Sequence, residues 1–275
     1  MTLMNLLQRA KYLLRVHSVS PKRHFGQNFM INNHYLRLLC SYAELKSSDT
    51  VLEIGAGLGF LTQVLAQKAK KVTAVELDYQ LMRILRGELV KFHNVDLVEG
   101  NILKMTAPPF NKIIANPPFS ISSPILFWLL KKDFDNAVLT LQKEYALRLN
   151  APVGSRDYSR LTVSVYRHAK AELLDIVPKE AFYPSPRIDV QIVRLVPHEK
   201  PPFEIKDEEI FDNIVRLMFT QRNRKVQTTV KRFFHGYVLK DIDDAGRPRS
   251  PSLRTKRVRE LTPQDFEVLA NELST

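Results

Sequence analysis

The feature that most constrains the fold is a regular alternation of short apolar runs and amphipathic segments between residues 50 and 196. Such repeated units predict an α/β fold, with a Rossmann-like, mostly parallel sheet and helices on both of its faces. Five strands are predicted along this stretch, at 50–54, 72–76, 95–98, 113–115 and 137–141. Two later runs, at 171–177 and 189–196, are predicted to pair as antiparallel strands.

A cluster of prolines predicts where the chain divides. Pro197, Pro201 and Pro202 indicate a linker, and the segment after it is helical and more strongly charged. A polar stretch over 241–259 is expected to be irregular. The predicted parts are a basic N-terminal helix or extension (1–20), the α/β domain (21–196), the linker (197–206) and a small C-terminal helical domain (207–275).

The charge balance favours a polyanionic partner. The chain has 41 Lys and Arg against 29 Asp and Glu, a formal charge of +12, so nucleic acid or an anionic membrane surface would suit it. A solvated basic surface is the alternative. The first 43 residues contain no acidic side chain, which fits a transit peptide, a nucleic-acid-binding helix or a cap on the core.

Several functional classes are disfavoured by composition. A single cysteine, Cys40, rules out a disulfide within the chain. The histidines form no metal-binding pattern, so no metal site is predicted. No apolar run reaches the ~18 to 20 residues that span a bilayer. We expect a cytoplasmic protein that binds no membrane.

A glycine-rich loop follows the first predicted strand. Gly55, Gly57 and Gly59 let backbone amides approach a ligand closely. Glu76 ends the next strand, where a carboxylate can accept hydrogen bonds from both ribose hydroxyls of a nucleotide-like cofactor. Asn101 follows the third strand and can bond an adenine edge or stabilise its own turn. Dinucleotide-binding enzymes share this loop, but the chain offers no evident site for hydride transfer.

The turn Asn116-Pro117-Pro118-Phe119 follows the fourth predicted strand. The Asn116 amide oxygen and the Pro117 carbonyl can accept hydrogen bonds from an exocyclic amine, and Phe119 can stack on its base. Methyl transfer to such an amine needs alignment and exclusion of water more than a strong base. Beside the cofactor loop, the turn predicts methyl transfer from S-adenosylmethionine to a base. The alternative is an ordinary strand-ending turn.

Seven segments together resemble a known family. They are Phe25-Gly26-Gln27-Asn28-Phe29-Met30, 53–59, Glu76, 116–119, 122–125, 181–189 and 219–225. Over residues 21–234 the chain resembles the small-subunit ribosomal RNA adenine dimethyltransferases. The Gly-Gln-Asn-Phe and Phe-Tyr-Pro-x-Pro segments are highly specific in combination.

The resemblance implies N6,N6-dimethylation of two adjacent adenosines near the 3′ end of small-subunit rRNA in a pre-ribosomal particle. Asn116, Pro117, Phe119 and Phe182 are assigned to the reacting centre, with Phe182 as a second stacking surface. The residues assigned to S-adenosylmethionine are Gln27, Asn28, Met30, Gly55, Gly57, Glu76, Leu77, Asn101 and Asn116.

The basic stretch after the linker is predicted to contact RNA phosphates. Its assigned residues are Arg216, Arg222, Arg224 and Lys225. Solvated charges on an exposed helix face are the alternative. A monomer is expected.

The chain departs from the family pattern at three positions of the site. Pro117 stands where the family has Leu, Phe119 where it has Tyr, and Asn101 where it often has Asp. The turn is closer to that of DNA and free-standing adenine or glutamine methyltransferases, which leaves open another degree of methylation or a relaxed target. A large-subunit rRNA methyltransferase of the antibiotic-resistance type also stays open. A ribosome-assembly or transcription factor without catalysis is a further alternative, which Glu76 and Asn116 disfavour.

Overall fold

The computed structural model describes residues 4–22, 25–233 and 250–273. Contacts divide the chain into two compact units. The first contains residues 1–146 and 172–197, and the second contains residues 147–171 and 198–275. Residues 147–171 therefore depart from the predicted boundary, which placed them in the α/β domain. The reason is packing, because Tyr158 and Val163 are buried in the core of the second unit.

The five predicted parallel strands are all present. The strands are β1 (Phe29–Met30), β2 (Thr50–Ile54), β3 (Lys71–Glu76), β4 (Val95–Glu99), β5 (Lys112–Ala115), β6 (Asn136–Gln142), β7 (Ala169–Val177), β8 (Phe182–Tyr183) and β9 (Val190–Pro197). Strands β2 to β6 pair in parallel, whereas β9 runs antiparallel to β6. The two predicted late strands, β7 and β9, are neighbours in the sheet.

The order of the main sheet is β4-β3-β2-β5-β6-β9-β7. The chain builds outward from β2 in one direction and from β5 in the other, so the order reverses between these two strands. Ligands of open α/β sheets bind at such a reversal, beyond the carboxyl ends of the strands. β2 leads into the glycine-rich loop and β5 leads into Asn116, so the fold brings both predicted motifs to one place. A separate two-stranded sheet pairs β1 with β8.

Helices follow most strands, as predicted. Their bounds are α1 (Leu6–Val16), α2 (Asn33–Tyr42), α3 (Phe60–Ala66), α4 (Tyr79–Glu88), α5 (Ser122–Leu129), α6 (Lys143–Leu147), α7 (Arg160–His168), α8 (Glu208–Phe219), α9 (Val226–Phe233), α10 (Pro251–Arg254) and α11 (Pro263–Leu273). Short 3₁₀ helices lie at Ile102–Lys104, Phe119–Ile121, Arg148–Asn150, Lys179–Ala181 and Val258–Glu260. Within the described ranges, no helix has the length and apolar character needed to cross a bilayer.

The N-terminal helix α1 packs on the core of the first unit. Asn5 caps it by accepting a hydrogen bond from the Gln8 backbone N–H, and Ala10, Leu13 and Leu14 are buried. Of the alternatives drawn from its charge, the structure therefore shows a cap on the core. Lys11 and Arg15 lie on its exposed side.

The second unit has its own apolar core, built from α7, α8, α9 and α11. Phe203, expected in a linker, is buried there, and so is Leu253 of the segment expected to be irregular. Both differences arise because a few apolar side chains anchor segments that are otherwise rich in proline and charge. Residues 241–249 of that segment lie outside the described residues.

Candidate active site

The loop between β2 and α3 has three glycines with positive φ, Gly55, Gly57 and Gly59, and the first two pack against other parts of the site. Gly55 has φ +79° and Gly57 has φ +60°, in the left-handed region that side chains with a Cβ disfavour. A Cβ on Gly55 would lie 3.0 Å from Cδ of Pro118, and one on Gly57 would lie 3.0 Å from Cδ1 of Phe29. The loop thus packs tightly against both the Asn116 turn and the N-terminal segment.

Glu76 lies at the carboxyl end of β3, beside this loop. Its side chain is 7% exposed, and its two oxygens accept hydrogen bonds from the Gly57 and Asp78 backbone N–H groups, each at 2.9 Å. Burial raises the pKa of Glu76, while these two N–H groups favour its charged form. Each carboxylate oxygen keeps a second acceptor position, so the group can hold a diol and stay fixed in place.

A cavity of about 300 Å³ lies over the carboxyl ends of the strands, within the size range of small-molecule sites. Its lining includes every residue assigned to the cofactor: Gln27, Asn28, Met30, Gly55, Gly57, Glu76, Leu77, Asn101 and Asn116. These residues come from five separate segments of the sequence, which span 89 positions from Gln27 to Asn116.

Gln27 lines the cavity, but its side chain already has protein partners. Its Nε2 donates to Asp78 Oδ2 at 2.9 Å, and its Oε1 accepts from the Lys22 backbone N–H at 2.7 Å. Lys22 Nζ forms an ion pair with the same carboxylate at 2.8 Å. Burial alone would raise the pKa of Asp78, but the bonds from Lys22 and Gln27 lower it. Gln27 therefore fastens the N-terminal segment beside the cavity.

Asn101 stabilises its own turn, which is one of the two roles considered from sequence, and the adenine contact stays a prediction. Its Oδ1 accepts from the Leu103 backbone N–H at 3.0 Å and so caps the short 3₁₀ helix that follows. The same residue lines the cavity, where its Nδ2 can donate to a ligand.

Asn116 directly follows the carboxyl end of β5, and both ends of its side-chain amide form hydrogen bonds. Nδ2 donates to the Asn28 backbone carbonyl at 3.0 Å, and Oδ1 accepts from the Thr140 hydroxyl. Pro117 is buried, Pro118 lines the cavity, and Phe119 is half-buried.

The two predicted stacking residues differ in access. The Phe119 and Phe182 rings meet edge to face, with centroids 6.2 Å apart. Phe182 is only 2% exposed, so its ring presents no open face to a base. The assignment of Phe182 as a second stacking surface stays a prediction, and it would require this ring to become exposed. In the structure, Phe182 supports the ring of Phe119.

Glu53 lines the same cavity and is 1% exposed, although no role was predicted for it from sequence. Burial raises its pKa to about 8, and the nearby Glu76 carboxylate adds to the shift. A carboxyl group placed one residue before the end of a buried strand is the signal that could have drawn attention to it. No role was predicted for Lys22, Asp78 or Thr140 either, because their hydrogen-bond partners are distant in the chain.

The predicted RNA-binding residues all belong to the second unit and differ in their surroundings. Arg222 donates to the Arg156 carbonyl at 2.8 Å and to the Ser155 carbonyl at 2.9 Å, so its guanidinium holds a loop. Arg216 donates to Asn213 at 3.0 Å on the surface of α8. Arg224 and Lys225 are exposed, which leaves their charge accessible to a phosphate.

The part of the chain that the structure describes has no group of three or more His, Cys, Asp or Glu placed to hold a metal ion.

Two solved structures superpose on most of this chain. A dimethyladenosine transferase from Plasmodium falciparum superposes with a TM-score of 0.75 at 31% identity, covering 88% of this chain and 95% of that one. The 23S rRNA methyltransferase ErmE superposes with a TM-score of 0.64 at 28% identity, covering 90% of this chain and 99% of that one. The sheet and the strand-end cavity define a Rossmann-like methyltransferase.

Sequence comparisons identify the family within this class of proteins. A family model described as ribosomal RNA adenine dimethylase matches residues 19–248. The chain is 41% identical over 249 residues to a probable ribosomal RNA small subunit methyltransferase A of Methanosarcina acetivorans, covering 90% of this chain and 92% of the relative. It is 36% identical over 267 residues to the protein of the same name in Pyrococcus abyssi, covering 96% of each. The chain belongs to the ribosomal RNA adenine dimethylase family.

Proposed function

We propose that this protein transfers methyl groups from S-adenosylmethionine to the exocyclic N6 amines of two adjacent adenosines near the 3′ end of small-subunit rRNA. The product is N6,N6-dimethyladenosine, made during assembly of the small subunit. One observation carries the proposal: the Asn116 turn and the Glu76 carboxylate flank the same cavity. The names of the relatives from Methanosarcina and Pyrococcus support the choice of subunit.

The cavity suits S-adenosylmethionine. Glycines at 55 and 57 let backbone amides approach a ligand closely, and Glu76 can accept hydrogen bonds from both ribose hydroxyls. Asn101 Nδ2 can donate to the adenine edge, and Leu77 can cover the ring. When bound, the cofactor supplies a methyl group on a sulfonium, whose departure leaves a neutral thioether.

The chain's own residues hold the target amine and exclude water. The lone pair of an exocyclic amine is delocalised into its ring, so acceptors that draw on its protons favour a tetrahedral, reactive nitrogen. Asn116 Oδ1 and the Pro117 carbonyl are the proposed acceptors. For each methyl gained, the nitrogen gives up one proton to solvent. Phe119 holds the base by stacking, which contributes about 1–3 kcal/mol.

Arg216, Arg224 and Lys225 are the proposed phosphate contacts, and they position RNA without reading its sequence. Arg222, also predicted as a contact, supports them by holding the neighbouring loop. The monomeric state and the cytoplasmic location stay predictions.

The proposal is tested by methyl transfer to ribosomal particles. The protein is incubated with labelled S-adenosylmethionine and small subunits that lack the modification, and the product RNA is mapped by mass spectrometry. Two adjacent dimethyladenosines near the 3′ end are expected. If only monomethyladenosine forms, the enzyme adds one methyl group per base. The departures at Pro117 and Phe119 would then account for the lower degree of methylation.

Large-subunit RNA is a second candidate substrate, favoured by the superposition on ErmE. Parallel reactions on unmodified large subunits separate the two. Label only in the large subunit would overturn the proposal. Tight binding of cofactor and small subunit without any transfer would instead indicate an assembly factor.

A further inference from the structure

The amide of Asn116 has a defined orientation in the structure. Its Nδ2 donates to the Asn28 backbone carbonyl at 3.0 Å. A carbonyl oxygen only accepts hydrogen bonds, so the end of the amide that faces Asn28 must be the NH₂ group. The oxygen is then the end of the amide that meets Thr140, and Asn116 lines the cavity.

The Thr140 hydroxyl completes this arrangement. Its Oγ1 lies within hydrogen-bond distance of Asn116 Oδ1, and because an amide oxygen cannot donate, the hydroxyl must. An amide oxygen has two acceptor positions. Thr140 takes one of them, which leaves the other for a proton of the target amine.

The pairing of β5 with β6 explains why Thr140 lies next to Asn116. β5 and β6 pair in parallel with Ala115 opposite Leu139, so the next position along brings Thr140 beside Asn116. Thr140 is fully buried between two buried leucines, Leu139 and Leu141. A hydroxyl in an apolar strand costs free energy unless it is bonded, and Asn116 supplies its partner.

We infer that Thr140 is a positioning residue for the reaction, an inference that rests on the proposed function. Its hydroxyl keeps the Asn116 oxygen, rather than the NH₂ group, where the target amine arrives. A flipped amide would present donor hydrogens to the donor hydrogens of the amine. The Asn28 carbonyl holds the other end, so the N-terminal segment and β6 together set the orientation.

A matched pair of variants tests this. Thr140→Val removes the hydroxyl and keeps the branched shape, whereas Thr140→Ser keeps the hydroxyl. Thr140→Val is expected to slow single-turnover methyl transfer on the order of tenfold, the worth of one hydrogen bond, with little change in KM for cofactor or RNA. Thr140→Ser is expected to stay near the wild-type rate.

Two results would overturn the inference. A wild-type rate of methyl transfer in Thr140→Val would mean that the hydroxyl makes no contribution to the reaction. Equal losses in both variants would assign the effect to packing, and thermal unfolding midpoints measured alongside would show the same fall.

A second readout separates this inference from the proposed function. The side-chain amide protons of Asn116 should exchange with solvent faster in Thr140→Val than in the wild-type protein, because the amide is held at one end only. This comparison by NMR needs no RNA. If Thr140→Val leaves the exchange rate unchanged, the orienting role is contradicted even if the wild-type protein transfers methyl groups. If the exchange rate changes but the wild-type protein transfers no methyl group, only the proposed function is contradicted.

Discussion

The two units of this chain use their polar side chains differently. In the first unit, Glu76 and Asn116 are held by two hydrogen bonds each and line one cavity. In the second unit, Arg224 and Lys225 stand exposed on the surface. Binding in the first unit depends on the exact position of single atoms. Binding in the second unit depends on charge, which is less sensitive to small movements of the side chains. Substitutions should therefore have large, local effects in the first unit and small, additive effects in the second.

The largest effect that sharpens this contrast is expected at Glu76. Glu76→Ala removes the carboxylate proposed to hold the ribose hydroxyls, and hydrogen bonds to a charged group are each worth about 1.5–3 kcal/mol. Loss of one such bond alone should raise the dissociation constant for S-adenosylmethionine about 10- to 100-fold, and loss of both should raise it further, as measured by isothermal titration calorimetry. Asp96→Asn is the matched control, because that carboxylate lies exposed on the neighbouring strand. Equal affinities in the Glu76 variant and the control would break the contrast.

A somewhat smaller effect is expected at Phe119. Phe119→Ala removes the proposed stacking face, so the KM for RNA should rise by about 5- to 100-fold, from the 1–3 kcal/mol that stacking contributes. Phe119→Tyr keeps the face and serves as the control. Steady-state kinetics with small subunits would check this. If Phe182→Leu raised the KM as much as Phe119→Ala, Phe182 would be a stacking residue in its own right.

The pH dependence of stability sharpens the description of the buried carboxylates. Burial raises the pKa of Glu53 from 4.5 to about 8. Between these values the unfolded chain has released a proton that the folded chain retains, so the free energy of unfolding falls as the pH rises. Below pH 4.5 this contribution is fully present, and near pH 8 it is lost.

Glu53→Gln should remove that part of the profile. Urea unfolding without cofactor, from pH 4.5 to about 8, should give a flatter dependence in the variant than in the wild-type protein. Parallel profiles would mean that Glu53 is ionised in the folded protein and that its burial has no energetic consequence of this kind.

The smallest effects are expected in the second unit. Arg224→Ala and Lys225→Ala should each weaken RNA binding only a few-fold and lower the slope of log K against log salt by about 1, measured by fluorescence anisotropy over a salt series. Arg222→Ala should instead lower the thermal unfolding midpoint, since its guanidinium bonds two backbone carbonyls. A large loss of binding with unchanged salt slope at Arg224 would show that this unit also recognises RNA by geometry.

The main sheet could be predicted from sequence because its signals are local. Apolar runs such as 50–54 mark a strand without reference to the rest of the chain, and strand order then brings Gly55 and Asn116 together. The two-stranded sheet could not be predicted, since β1 and β8 have two residues each. Helix α7 has a local amphipathic pattern, but this pattern does not show which core the helix joins.

The cavity residues that lie at or just after strand ends, such as Glu76 and Asn101, could be predicted from sequence. The side chains that form hydrogen bonds to cavity residues could not be predicted. Lys22 and Asp78 are 56 positions apart, and Asn116 and Thr140 are 24 apart, so only the folded chain shows that they meet. The burial of Phe182 was missed for the same reason, because its neighbour in the sheet is Met30.

The central claim is that the reaction takes place at the Asn116 turn. The most direct test is single-turnover methyl transfer by Asn116→Ala at saturating S-adenosylmethionine and small subunit, with cofactor affinity measured on the same sample. We predict a rate at least about 100-fold lower, as for the loss of a preorganised hydrogen-bonding group at a reacting centre, and a much smaller change in affinity. A rate close to that of the wild-type protein would contradict the claim and place the chemistry elsewhere in the cavity.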